Sequence, residues 1–196
     1  MIYESVAPQI LSVDKRELSA RLGAPVDTVI DGMDSLFHKL CEAAKPSYTA
    51  MRVKLEREMG GIRIGNSVSE SKSLEKLCAD SSECILLCAT LGVGVDMLLM
   101  RTATLSPKDA FLIDAMADAL VEALCDYAEE KVCAELNTSG RFSPGYADLE
   151  LSLGRDIIAM TDAERTLGIK LTESGLMVPK KSVNAIIAVR NFKNDQ

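Results

Sequence analysis

The spacing of apolar residues along the chain predicts strands and helices in alternation. Residues 48–58 alternate between apolar and charged positions, which is typical of a half-buried strand. Residues 84–90 form a short, continuously apolar run and are predicted to be a fully buried strand. A glycine pair leads into a further strand over 62–66, and a strand–turn–strand over 169–191 closes the chain.

Other segments have the three- and four-residue spacing of helices. Residues 12–23 predict a short helix capped by Ser12 or Asp14. A second helix is predicted to begin at Pro25 and to stop at Pro46, since its apolar residues recur at helical spacing. These apolar residues are Val29, Met33, Phe37, Leu40 and Cys41.

Two shorter helices are predicted over 74–80, behind the serines of 71–73, and over 153–168. The Gly-x-Gly of residues 92–94 follows a predicted strand. A dinucleotide-binding fingerprint needs more glycines and a distant acid, so this pair favours a tight strand-to-helix turn over a phosphate-binding loop.

The longest predicted helix begins with Ser106 as its cap and Pro107 in its first turn. Its buried stripe consists of Ile113, Met116, Leu120, Leu124 and Tyr127. Acids recur at every fourth position, at Asp114, Asp118, Glu122, Asp126 and Glu130. Carboxylate di-metal bundles need histidines on facing helices, and the chain has the single histidine His38. The acids are therefore interpreted as a solvated face that is offered to a basic partner.

These elements predict an α+β fold: a mostly antiparallel sheet with helices packed around it. We expect residues 1–196 to form one domain, with a helical N-terminal part over about 1–46. No internal repeat divides the chain.

The net charge of −7 argues against nucleic acid and against an anionic membrane as the main partner, because both are bound by basic surfaces. The most apolar stretch, residues 85–100, contains Asp96 and is too short to cross a bilayer. The start lacks the basic and apolar regions of a signal peptide. A cytoplasmic location is therefore expected.

All six cysteines lie within apolar runs, and no Cys-x-x-Cys occurs. Disulfide frameworks are typical of small secreted chains, so reduced, buried thiols are favoured. The alternative is a soft-metal or iron–sulfur site on Cys78, Cys84 and Cys88, although their spacing matches no known ligand pattern. No catalytic side chain and no metal site is predicted.

One loop, residues 137–150, concentrates unusual chemistry directly after the longest helix. Arg141 offers a planar guanidinium that suits a carboxylate, Gly145 allows close approach to the main chain, and Tyr146 adds a ring and a hydroxyl. Such a loop suits an amino-acid-like ligand. The alternative is a helix-terminating turn in which Arg141 caps carbonyls and Tyr146 packs against the sheet.

Residues 141–189 resemble the activation domain of cobalamin-dependent methionine synthase. The first motif of that family, R-x-x-P-G-Y, is present as Arg141, Pro144, Gly145 and Tyr146. The second motif is present as Gly168, Ile169, Leu171, Thr172, Glu173 and Ser174, followed by Met177 and Pro179. The N-terminal part is similar, more weakly, to free-standing single-domain members of the family.

The resemblance implies that the chain binds S-adenosylmethionine through Arg141, Ser143, Gly145 and Tyr146, supported by Thr172 and Glu173. It also implies a curved α+β fold and docking over a corrinoid domain whose cobalt has reached the inactive +2 state. In the family, an external reductase supplies one electron and the methyl group of S-adenosylmethionine traps the reduced cobalt.

Two departures leave the function open. Residues 147–150 are Ala-Asp-Leu-Glu, where methionine synthases have proline, cysteine and histidine, and the acid that binds the ligand's ammonium has no assigned position. Since no corrinoid domain is visible, the chain is expected to act in trans on a corrinoid protein or on a methionine synthase lacking this domain. The alternative is a non-catalytic module that senses S-adenosylmethionine or binds a corrinoid protein. Glu173 could also be structural, paired with Lys180 or Lys181.

Overall fold

The computed structural model describes residues 1–23 and 33–191, and its central feature is a six-stranded sheet. The strand order is β4-β3-β2-β5-β8, and every pairing is antiparallel. The sixth strand, β1, pairs with the first four residues of β2, whereas β3 pairs with its last four. The sheet strands are β1 (Ile2–Ser5), β2 (Ser47–Glu58), β3 (Gly61–Ile64), β4 (Ser67–Ser69), β5 (Ser81–Thr90) and β8 (Ser182–Arg190). A separate two-stranded hairpin joins β6 (Lys170–Leu171) to β7 (Met177–Val178).

Helices cover both faces of this sheet. They are α1 (Lys15–Leu22), α2 (Asp34–Ala43), α3 (Lys72–Leu77), α4 (Val93–Leu105), α5 (Pro107–Val132), α6 (Leu153–Met160) and α7 (Ala163–Leu167). The fold is therefore α+β with a mostly antiparallel sheet, as the sequence predicted. The first part of the predicted helix that begins at Pro25 falls on residues 25–32, outside the described residues, and its C-terminal part is α2.

The central strand β5 explains why a short run of residues can be apolar throughout. Ile85 and Leu87 pack into a core shared with α1, α2 and α5, whereas Leu86 and Cys88 pack into a second core shared with α6. Alternate side chains of a strand point to opposite faces, so both sets are buried only because helices lie on both sides. The predicted buried strand over 84–90 is confirmed.

A tight strand-to-helix turn follows β5, also as predicted. Gly92 has a positive φ of 81°, which favours glycine. A methyl group at Gly94 would lie 2.2 Å from the Ala43 carbonyl oxygen, so a bare backbone is required where α4 approaches α2. These two glycines therefore serve packing and backbone geometry.

Helix α5 begins as predicted, with the Ser106 hydroxyl accepting a hydrogen bond from the Asp109 amide. Its buried stripe is confirmed from Ile113 to Leu124, while Tyr127 is half-buried. The single helix predicted over 153–168 is wrong. Asp162 has a positive φ of 52°, and this residue separates α6 from α7.

All six cysteines are free thiols; Cys78, Cys84, Cys88 and Cys125 are buried. Within residues 1–23 and 33–191, no helix combines the length and the apolar character that a bilayer crossing requires.

Candidate functional site

The loop after α5 is held along the exposed edge of β8. The Phe142 amide donates to the Ile186 carbonyl at 2.9 Å, and the Ile186 amide donates to the Phe142 carbonyl at 2.8 Å. Thr138 forms a second bridge to Val189. Because an edge strand has unpaired backbone groups on one side, the loop can pair with β8 and place Arg141 and Ser143 at a defined position.

Beyond Phe142 the chain makes a tight turn that contains three of the predicted site residues. Gly145 has a φ of 90° and its amide donates to the Leu149 carbonyl at 2.9 Å, while the Tyr146 amide donates to the Ser143 carbonyl at 3.2 Å. The Tyr146 side chain is 69% exposed, so the interpretation that it packs against the sheet was wrong. With the Gly145 amide engaged, the groups of this turn that can face a ligand include the Gly145 carbonyl and the Ser143 hydroxyl.

Arg141 contacts three carboxylates on α5. Its Nη1 lies 2.8 Å from Asp126 and 2.9 Å from Glu129, and its Nη2 lies 3.1 Å from Glu122. Its partial burial alone lowers the pKa of Arg141, but the hydrogen bond to Asp126 and the surrounding negative charge outweigh it and raise the pKa. The guanidinium therefore binds acids and does not cap carbonyls at the helix end.

The acids of α5 do not form the solvated face predicted for them. Besides the contacts to Arg141, Asp114 and Asp118 hold the Lys181 ammonium at 2.9 and 2.6 Å, and this lysine side chain is only 4% exposed. The prediction was wrong for these acids because two segments from the C-terminal half, at residues 141 and 180–181, lie against this side of α5. Glu130 and Asp126 do remain exposed as predicted, although Asp126 also contacts Arg141.

Two adjoining cavities meet at the loop. The larger, about 430 Å³, is lined by charge: Arg141 and the three carboxylates that contact it. The smaller, about 210 Å³, is lined by apolar side chains and by the polar residues Ser143, Ser182, Asn184 and Glu122. Four residues line both: Glu122, Ser143, Tyr146 and Val183. A ligand with a charged end and an apolar end can therefore extend from one cavity into the other along residues 143–146.

The β6–β7 hairpin forms another wall, but through residues other than those predicted. Leu171, Gly175 and Met177 line the smaller cavity. Thr172 organises the hairpin, since its hydroxyl accepts from the Leu176 amide at 3.0 Å. Glu173 is exposed at the turn.

Lys180 and Lys181 do not form the structural pairing proposed as an alternative for Glu173. The Lys180 ammonium lies 3.5 Å from Asp114, and the Lys181 ammonium binds Asp114 and Asp118. The pairing prediction for Glu173 was therefore wrong, and both lysines instead attach the start of β8 to α5.

Leu151 connects the loop and the hairpin, and the sequence analysis missed it. A methyl group at Gly145 would lie 3.2 Å from one methyl of Leu151, and a methyl group at Gly175 would lie 2.6 Å from the other. Gly175 also has a positive φ of 83°. One leucine thus fits between two glycines and sets the distance between the two walls.

The segment that departs from the family pattern has a structural use. Asp148 accepts hydrogen bonds from the Ser71 hydroxyl at 2.7 Å and from the amides of Lys72 and Ser73 at 2.8 and 3.2 Å. Glu150 accepts from the Ser69 hydroxyl at 2.9 Å. These contacts fasten the loop to β4 and to the start of α3, and a local reading of the sequence gives no sign of them.

A further cavity of about 250 Å³ lies between α6, α7 and the hairpin and is lined by Arg155, Ile158 and Lys170 among others. It contains no residue of the loop. The cysteine alternative is also unsupported: no group of three or more His, Cys, Asp or Glu in the described part of the chain is placed to hold a metal ion. Burial raises the pKa of Cys78 to about 11 and that of Cys88 to about 12, which disfavours the thiolate that metals bind.

Comparison with known proteins identifies one matching family and a solved structure of similar fold. The model of a family described as "Vitamin B12 dependent methionine synthase, activation domain" matches residues 76–192. A crystal structure described as the MetH reactivation domain bound to AdoHcy is similar in fold, with a TM-score of 0.75 at 17% sequence identity. The similarity covers 96% of this chain and 78% of that one. No curated protein sequence matches.

Proposed function

The chain belongs to the family of activation domains of vitamin B12-dependent methionine synthase, and from that premise we propose that it binds S-adenosylmethionine and acts in trans. Its role would be to reactivate the cobalamin of a separate corrinoid protein, or of a methionine synthase without this domain, by reductive remethylation. We further propose that residues 1–196 act as one such domain, because α1 and α2 share a core with the site-bearing helix α5.

The observation that carries the proposal is the pair of adjoining cavities at the Arg141–Tyr146 turn. S-adenosylmethionine has a zwitterionic amino-acid end and an adenosine end. The larger cavity offers a guanidinium together with carboxylates, and the smaller adds apolar walls and the neutral residue Asn184 to the Glu122 and Ser143 that line both. The residues present therefore fit both ends of such a ligand.

Binding of the amino-acid end requires an exchange of partners at Arg141. The ligand's carboxylate takes one edge of the guanidinium from an acid of α5, and the ligand's ammonium pairs with the acid that is released. Since one ion pair replaces another, no buried charge is left unpaired, which would cost several kcal/mol. We propose that the Ser143 hydroxyl and the Gly145 carbonyl bind the ligand's polar edges and that Tyr146 covers it, with Thr172 and Glu173 supporting the hairpin wall.

The chemistry needs orientation more than it needs a reactive side chain. S-adenosylmethionine would supply an electrophilic methyl group to the partner's cobalamin once a reductase had reduced that cobalamin by one electron, and S-adenosylhomocysteine would remain in this chain as the product. Holding two reactants in register can supply about 7–11 kcal/mol of a barrier. The chain would thus be a component of a cobalamin-dependent methyltransferase system.

The rim of the smaller cavity suits the docking of a partner. Tyr146, Leu151, Leu176 and Val178 are all exposed apolar or aromatic side chains on the loop and the hairpin. Contiguous exposed apolar surface beside a cavity is typical of interaction sites. We propose that the corrinoid-bearing partner contacts this rim in the cytoplasm, and that neither nucleic acid nor a membrane takes part.

Ligand binding is tested by isothermal titration calorimetry with S-adenosylmethionine. The wild-type chain is expected to bind, and Arg141→Gln is expected to weaken binding by about 10- to 100-fold, equivalent to about 1.4–2.8 kcal/mol. Arg63→Gln is the matched control, because Arg63 also binds a carboxylate, Glu58, but on β3 and outside both cavities. Circular dichroism establishes that each variant is folded. Wild-type affinity in Arg141→Gln would contradict the assigned role of this residue.

Reactivation is tested by the absorbance of methylcobalamin. The chain, a corrinoid protein holding cob(II)alamin, a one-electron reductant and S-adenosylmethionine are mixed, and methylcobalamin formation is followed with and without the chain. A faster rate with the chain supports the trans-acting role.

A second function, that of a non-catalytic sensor of S-adenosylmethionine, is favoured by two observations on the loop. Arg141 is held by three carboxylates, and residues 147–150 fasten the loop instead of carrying the family's proline, cysteine and histidine. A sensor would bind S-adenosylmethionine in the calorimeter but would leave the rate of methylcobalamin formation unchanged.

A further inference from the structure

We propose that Asn184 selects adenine as the base of the bound ligand, inside the smaller cavity. The inference rests on the proposed binding of S-adenosylmethionine and goes further by naming the residue that distinguishes adenosine from other nucleosides. Neither of the two sequence motifs that identified the loop includes Asn184.

Asn184 is a buried amide with unused hydrogen-bonding capacity. The residue is only 5% exposed, and it lies on β8, paired with Cys88 of β5. Its Nδ2 donates to the Gly154 carbonyl at 3.4 Å, which is the hydrogen bond that its side chain makes within the described residues. Among those residues, the fully buried side-chain atoms without a partner are Ser81 Oγ and Asp96 Oδ1, so Asn184 Oδ1 is open to solvent and can accept a hydrogen bond from a ligand. Asn184 also lines the smaller cavity.

The orientation of this amide is set by its neighbours. A methyl group at residue 154 would lie 2.8 Å from Nδ2, so Gly154 leaves the space in which the amide sits. If the amide were turned over, its Oδ1 would face the Gly154 carbonyl oxygen, and two acceptors would repel each other. The side chain therefore presents Oδ1, together with the second N–H of Nδ2, to a ligand in the cavity.

The cavity has the size and walls of a site for one flat base. Its volume, about 210 Å³, is below the roughly 300–1,000 Å³ of sites that enclose a whole cofactor-sized ligand. The apolar side chains of Leu151, Leu171 and Met177 line it, and they suit the faces of an aromatic ring. Arg141 lines the larger cavity and not the smaller one, so the carboxylate of the ligand's amino-acid end would lie in the larger cavity, with Glu122 and Ser143 lining both.

Among the purines compared, adenine is the base that matches the fixed amide. An asparagine amide pairs with adenine through two hydrogen bonds, because adenine presents an amino donor next to a ring nitrogen acceptor. Hypoxanthine and guanine carry a carbonyl oxygen in place of that amino group, and this oxygen would face Oδ1. They could be accommodated only if the amide turned over, which the Gly154 carbonyl opposes.

The test compares two ligands that differ only in the base. S-adenosylhomocysteine and its inosine analogue, in which a carbonyl replaces the amino group, are titrated into the wild-type chain by calorimetry. We expect wild type to bind the adenosine form at least about 10-fold more tightly. In Asn184→Ala the two dissociation constants should agree within about 3-fold. Asn66→Ala is the control, because Asn66 is exposed and lines neither cavity, and it should retain the wild-type ratio.

Each result separates the two proposals. Wild type that binds both ligands equally would overturn base selection by Asn184 while supporting S-adenosylmethionine binding. Wild type that binds neither would overturn the proposed function and, with it, this inference. If Asn184→Ala does not fold, the wild-type ratio decides, and Asn184→Ser, which is smaller and keeps a polar group, provides the comparison.

Discussion

Asp148 attaches the loop of the candidate site to a helix that is distant in sequence. Its carboxylate accepts hydrogen bonds from Ser71, Lys72 and Ser73 at the start of α3. The side chains of Ser73 and Ser71, and then the backbone amides, hold the pKa of Asp148 well below its usual range. A helix N-terminus also favours a negative charge, so the ionised form is stabilised by two effects.

This depressed pKa predicts a specific dependence of stability on pH. A carboxylate with a lowered pKa in the folded state stabilises the fold above the unfolded pKa of about 3.9, and the contribution disappears as the pH falls below that value. Asp148→Asn should therefore be less stable than wild type above about pH 5, and the difference should shrink below about pH 4. Urea denaturation between pH 3 and pH 7 measures it.

The control for this experiment is Glu70→Gln, which removes a nearby exposed acid. It should leave the pH dependence of unfolding close to that of wild type. A difference between wild type and Asp148→Asn that stays constant down to pH 3 would contradict the role assigned to the Asp148 charge.

At the scale of single residues, the sequence predicted which groups form the loop but not what they touch. Arg141 was recognised from its type and spacing, whereas its three partners depend on the path of the loop along β8. Leu151 and Asn184 were missed because a leucine in a loop and an asparagine in a strand carry no local signal. Their importance comes largely from contacts with glycines that are distant in the chain, Gly175 for Leu151 and Gly154 for Asn184.

At the scale of elements, helix α5 attaches the C-terminal half through charge. Arg141 binds its second half, and Lys181, at the start of β8, binds Asp114 and Asp118 in its first half. The Lys181 carbonyl also accepts from the Leu91 amide at 2.9 Å, which joins the start of β8 to the end of β5. Both walls of the site therefore depend on one helix.

Adjacent lysines provide a matched test of this arrangement. Lys181→Met should lower the free energy of unfolding by about 2–3 kcal/mol, because it removes the buried cation nearest to Asp114 and Asp118. Those carboxylates keep only the longer contacts to Lys180, at 3.5 Å, and to Arg21, at 3.7 Å. Lys180→Met should cost less than about 1 kcal/mol, since Lys180 is 72% exposed and lies 3.5 Å from Asp114. Chemical denaturation of the two variants measures both values, and equal losses would contradict the central role of Lys181.

Elements with strong patterning were predicted correctly, and the exceptions have local causes. Alternation marked β2, and the cap at Ser106 marked the start of α5. The break between α6 and α7 was missed because Asp162, and not glycine or proline, has the positive φ that ends the helix. The partners of the acids on α5 were missed because helical spacing shows which residues share a face but not what covers that face.

At the scale of the whole molecule, two apolar cores lie on opposite faces of one sheet. Cys84 and Cys88 of β5 belong to one core and Cys125 of α5 to the other, while Cys41 and Cys133 are only half-buried. Burial raises the pKa of Cys125 to about 12, so very little thiolate forms near neutral pH.

The burial of the cysteines predicts their reactivity. In the folded chain at pH 8, we expect a thiol reagent to modify at most Cys41 and Cys133, and slowly, because burial raises the pKa of both. All six cysteines should react after denaturation in guanidinium chloride. Mass spectrometry of the alkylated chain counts the modified thiols. Rapid modification of Cys84, Cys88 or Cys125 without denaturation would contradict the described packing.

The class of the fold was predicted from the sequence, and the order of its strands was not. Alternating patterns indicate that strands exist and that an antiparallel sheet suits them. The pairing of β5 with β8 joins segments that are nearly one hundred positions apart, with α4, α5, α6 and α7 between them. No local sequence pattern spans that separation. The sequence therefore did not predict that β8 lies at the edge of the sheet, where the loop pairs with it.

The contact of Leu151 with two glycines restricts how this site can change in evolution. A side chain at Gly175 would lie 2.6 Å from one leucine methyl and a side chain at Gly145 would lie 3.2 Å from the other, so either substitution requires Leu151 to shift or to be replaced by a smaller residue. Both glycines also have positive φ, which that compensation does not relieve. Substitutions at positions 145, 151 and 175 are therefore expected to co-vary among descendants of this chain. Asparagine is the most accessible replacement for either glycine, because it tolerates a positive φ better than most other residues.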